Sequence, residues 1–129
     1  LEIEEALTTD DRYSIVSNHL NEALKILSNR ETRDFRNSVK ESISAVESIL
    51  QIILNKKGTV GVLLKELKNK HDMHPTLFEA YSKLYGYTNE VGGIRHGLKT
   101  SDSTTTQFEA KYMLVICSAF TNYLKVLDL

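Results

Sequence analysis

Arg95 and His96 stand side by side in GGIRHG, residues 92–97, framed by three of the six glycines in this 129-residue chain. Arginine presents a planar fork of donors that matches a phosphate, and histidine exchanges protons near neutral pH. A pair of this kind suits phosphate-ester chemistry, with histidine moving the proton and arginine holding the developing charge. Glycine on both sides frees the backbone and lets another group come close to it. The structural alternative is plainer. Arg95 would tie a loop to a helix through a carboxylate and His96 would cap a helix end, which is what most polar loop residues do.

Glu47 offers such a carboxylate. At about 100° per residue, Arg36, Lys40 and Glu47 run along one margin of their helix's apolar stripe, so Glu47 is expected to be partly buried. A partly buried carboxylate needs a cation or a hydrogen-bond donor, and Arg95 is the expected partner. That pairing competes with phosphate for the same arginine. Lys65, Lys68, Lys70 and His71 form a modest basic cluster, but Glu66 and Asp72 dilute it and it reads as a solvated face. His71 and His74 are three apart with no third ligand nearby, so neither a metal nor a cofactor is expected. The chain carries no glycine-rich phosphate loop, no dinucleotide fingerprint and no nucleophile elbow.

The elements that must position these residues are helical. Tyr13, Val16, Leu20, Leu24 and Leu27 recur at intervals of three and four, with Asp10 and Asp11 suited to the N-terminal end. Phe35, Val39, Ile43, Val46, Leu50 and Ile53 form an unbroken stripe, which Gly58 is expected to stop. Val60, Leu63, Leu64 and Leu67 follow. His74-Pro75 then restarts the chain into a helix carrying Leu77, Tyr81, Leu84 and Tyr85, and Phe78, Tyr81, Tyr85 and Tyr87 are read as core and interface aromatics. A capping box over Thr104–Gln107 is expected to open the last helix, through Phe108, Met113, Ile116, Phe120, Leu124 and Leu127. Strand signals are nearly absent. The pattern predicts an all-α bundle of about five helices, with the longest irregular piece from Gly92 to about Ser103.

Composition agrees with one soluble domain: 26% charged and 41% hydrophobic residues, a net charge of −1 and no span of membrane length. A near-neutral charge excludes a globally cationic nucleic-acid binder. A single cysteine, Cys117, excludes an internal disulfide and points to a reducing, cytoplasmic setting. The opening Leu1 is read as the start of a segment of a longer protein, whose N-terminal region would be a partner in the same chain. Residues 1–9 are then a tail or linker, and 10–129 the helical domain.

Three stretches together, DFRNSVKESISAVESIL, HPTLFEAYSKLYGYTNEVGGIRHG and EAKYMLVICSAFTNYL, resemble the HEPN-like helical domain of bacterial abortive-infection proteins. The likeness covers roughly residues 18 to 124 and is most specific in KLYGYTNEVGGIRHG. It implies a bundle that pairs as a homodimer and, in many members, a metal-independent ribonuclease used in phage defence or as a toxin. In such enzymes an arginine and a histidine from each subunit meet at the interface, where a ribose 2′-hydroxyl attacks the adjacent phosphate. Arg95 and His96 are the catalytic residues the resemblance implies, with Glu47 and Lys99 in support. The usual motif separates the two residues. Here they are adjacent, and Lys99, Thr100, Ser101 and Asp102 fill the places where the later histidine belongs. A non-catalytic dimerisation or RNA-sensing module, regulating a partner domain, is the rival expectation.

Overall fold

The computed structural model describes residues 1–7, 11–29, 31, 34–71, 73–90 and 106–127. Among the described residues six helices follow one another: α1 Glu2–Leu7, α2 Ser14–Ser28, α3 Phe35–Leu54, α4 Val60–His71, α5 Pro75–Glu90 and α6 Gln107–Leu127. A short 3-10 turn, Asp11–Tyr13, leads into α2. No strand occurs among the described residues. The all-α bundle expected from periodicity is therefore present, with α3 at its centre.

α3 is central because it carries apolar or small residues on two sides. Ser38, Val39, Ser42, Ile43, Ala45, Val46, Ile49, Leu50 and Leu54 are all buried. Its most extensive contact is with α2 and its next with α6. Small residues let α2 come close: Ala23 is fully buried, and Ser38 Oγ donates to its carbonyl at 2.8 Å. Ser42 Oγ donates back to the Ser38 carbonyl at 3.2 Å, so both hydroxyls are satisfied inside the core. At the surface of the same seam, His19 Nδ1 and Glu41 Oε2 lie 2.7 Å apart.

The ends of α3 show what sets its length. Asp34 caps the start by accepting from the Asn37 N–H at 3.3 Å. The stop is Asn55, in the left-handed region at φ 50 and ψ 49, and not Gly58 as expected. Asn55 N–H bonds the Ile52 carbonyl and Lys56 N–H the Gln51 carbonyl, the two bonds of a Schellman closure. Gly58 has a different task. A Cβ there would sit 3.3 Å from Leu63 Cδ2, so glycine lets the connection lie close against α4. The cap of α2 also departs from expectation, since Tyr13 stands at its N-cap without a side-chain bond and Asp11 belongs to the turn before it.

The stretch 1–9, expected to be a tail or linker, contains α1, and α1 packs on α6. Ala6 is fully buried. Asn122 Nδ2 donates to the Glu2 carbonyl at 3.1 Å and to the Glu2 and Glu5 carboxylates at 3.0 and 3.1 Å. Lys125 Nζ donates to the Ala6 carbonyl at 3.3 Å. Six residues are too few for a periodic stripe, which is why the sequence pattern passes over this helix.

Candidate functional site

In sequence the GGIRHG stretch lies between α5 and α6. His74 opens α5, its Nδ1 accepting from the Thr76 N–H at 3.1 Å, and Pro75 takes the first helical position as expected. α5 has no fully buried side chain among its described residues; it is held by half-buried ones. Phe78, Tyr81, Leu84, Tyr85 and Tyr87 pack against the core cluster. Tyr81 stacks on Phe120 of α6, ring centroids 3.8 Å apart, and Phe120 in turn faces Tyr123 at 6.2 Å. Burial raises the Tyr81 pKa above the ordinary tyrosine value, and the neighbouring Tyr123 adds to it. These aromatics anchor a helix, as expected from their spacing.

α6 starts with a capping box two residues later than expected. Thr106, not Thr104, is the cap residue: its Oγ1 accepts from the Phe108 N–H at 3.2 Å. Glu109, not Gln107, reaches back to accept from the Thr106 N–H at 3.0 Å and from its hydroxyl.

Arg95, His96 and Lys99 fall outside the described residues, and so does the expected Arg95–Glu47 pair. Glu47 is described. It lies half-buried on α3, as expected for the margin of the stripe. Its neighbour Val46, together with Ile43, lines a narrow apolar gap that Tyr81, Leu84 and Tyr85 close from α5. Glu47 thus follows, one residue along α3, a side chain that faces α5. Of its two companions, Lys40 is exposed and Arg36 half-buried.

The basic cluster is partly consumed by structure. Lys68 Nζ lies 4.9 Å from the centre of the Phe78 ring, joining α4 to α5 by a cation–π contact, while Lys65 and Lys70 are exposed. Among the described residues no group of three His, Cys, Asp or Glu side chains is placed to hold a metal ion. No described helix is long and apolar enough to cross a membrane.

One surface feature escapes the apolar spacing. Phe108, expected in the inward stripe of the last helix, points outward and is the most exposed aromatic residue described. Tyr112, Tyr123 and Val126 are exposed on the same helix. The signal is present in the sequence: α6 has more apolar residues than one inward face can use. No protein-family profile, no curated protein and no solved structure matches the chain.

Proposed function

We propose that this chain is a HEPN-like domain of an abortive-infection system that cuts RNA without a metal, using Arg95 and His96 from two paired copies. The observation that carries the reading is the position of Glu47. Glu47 is a half-buried carboxylate on the central helix, one residue from a side chain that faces α5, and the chain runs on from α5 into GGIRHG. The resemblance of KLYGYTNEVGGIRHG adds the chemistry. The RNA supplies the 2′-hydroxyl nucleophile, His96 moves its proton, and Arg95 stabilises charge on the phosphate. Lys99 adds a second cation for the RNA backbone.

The experiment is cleavage of structured and single-stranded RNA by the purified chain in the presence of a chelator. Wild type should cut, and His96→Ala and Arg95→Ala should each lose orders of magnitude in rate while keeping their helical circular dichroism. Arg95→Lys should recover only part of the activity, because a point charge lacks the planar fork. Equal residual cleavage by wild type and His96→Ala would overturn the catalytic role.

The second reading is a non-catalytic module that pairs or senses RNA and regulates the rest of a longer protein. The outward apolar residues of α6 favour it, since several apolar side chains left to solvent along one helix face offer a contact surface. RNA binding that depends on Arg95, with no cleavage under any condition, would select this reading.

A further inference from the structure

α6 uses one face for the core and presents a second apolar face to solvent. Its inward residues include Ala110, Met113, Leu114, Cys117, Phe120 and Leu124, all buried. On the opposite side, at about 100° per residue, Phe108, Tyr112, Val115, Ala119, Tyr123 and Val126 fall within an arc of about 80°. Phe108 is 81% exposed, Val126 65%, Tyr112 56% and Tyr123 37%, while Val115 and Ala119 are partly covered. Spacings of three and four keep this stripe straight along the helix, the pattern by which one helix lies along another.

From this stripe we propose that the outward face of α6 is a self-association surface on which two copies of the chain pair antiparallel. It shares with the ribonuclease reading only the need for a second copy and stands on its own geometry. The stripe is self-complementary under reversal. Turning the helix end for end about the level of Cys117 brings Phe108 opposite Val126, Val115 opposite Ala119 and Tyr112 to within one position of Tyr123. Each of the first two pairings sets a larger side chain against a smaller one. Val115 and Ala119 lie at the crossing point, where small residues let two helices approach. A two-fold interface requires this kind of match, since the same patch must serve both partners.

The area fits a pair that associates reversibly. With aromatic side chains of about 150–250 Å² each, the four exposed residues leave on the order of 450 Å² per copy. Two copies then bury on the order of 900 Å² before the partly covered and flanking residues are added, close to the ~1,000 Å² at which specific interfaces begin.

The test is sedimentation velocity of the full 129-residue chain over roughly the micromolar-to-millimolar range. Wild type should show a concentration-dependent monomer–dimer equilibrium. Phe108→Glu and Val126→Lys are changes at exposed positions, so helical circular dichroism should be retained, and each alone should weaken the dimer by about tenfold or more. The double variant sets the introduced carboxylate of each copy opposite the introduced ammonium of the other, and association should return. A wild-type chain that stays monomeric throughout overturns the proposal, because the stripe is then covered from within the same chain or by another partner. A dimer untouched by the single changes places the contact elsewhere and overturns it too. Single changes that dissociate the dimer without rescue by the double variant overturn the antiparallel register. Loss of RNA cleavage in His96→Ala with an intact dimer concerns the catalytic reading alone.

Discussion

Phe120 ties α5 to α6, because Tyr81 stacks on it at 3.8 Å while its own ring is almost wholly buried. Phe120→Ala should cost about 3–5 kcal/mol by urea denaturation and Val39→Ala, fully buried on α3, about 1–3 kcal/mol. Cys117 gives a chemical probe of the same core. Burial pushes its thiol up to about 12 from 9.0, so the neutral form is favoured in the fold. A folded-state pKa above the unfolded one contributes stability that is fully present below pH 9 and is lost as pH rises toward 12. Thiol alkylation at neutral pH should therefore be far slower in the native chain than in the urea-unfolded chain. Rapid labelling of the native chain would show that the thiol is reached without unfolding. Asn55 tests backbone strain: with φ at 50, Asn55→Ala should cost about 1–2 kcal/mol while Asn55→Gly is tolerated.

Element ends and faces divide the legible from the illegible. Long stripes such as Phe35 to Ile53 define α3 in the sequence because one wide apolar face repeats turn after turn. Its stop falls before the expected glycine because asparagine also reaches the left-handed region that glycine favours, and Asn55 comes first along the chain. The start of α6 shifts for a related reason. The run of threonines offers several candidate caps, and only Thr106 has an acid three residues on, in Glu109. Thr106→Ala should cost about 0.5–2 kcal/mol and loosen amide exchange in the first turn of α6, with Glu109→Ala smaller in the same direction. Phe108 is expected inward and found outward because α6 carries two apolar stripes at helical spacing. Spacing alone does not say which of two stripes meets the core.

At the scale of the molecule, α3 packs against α2, α6 and α4, and α1 closes over α6 through Asn122 and Lys125. The all-α class is legible because helical periodicity runs nearly end to end. The site is legible only as residue types. Arg95 and His96 are marked by their glycine frame and by the resemblance of the surrounding stretch, whereas their placement depends on a segment whose own sequence has no periodicity to read. Glu47 can be located because one margin of a strong stripe is a definite place. In the proposed function, RNA supplies its own nucleophile to the Arg-His pair. The most direct measurement compares an RNA substrate with the same strand carrying one 2′-deoxy sugar at the mapped cleavage position, in chelator, with the ends analysed. The RNA should be cut to 2′,3′-cyclic phosphate ends, with no cutting at the 2′-deoxy position. Cleavage that persists at that position, or that stops with the chelator, would contradict it.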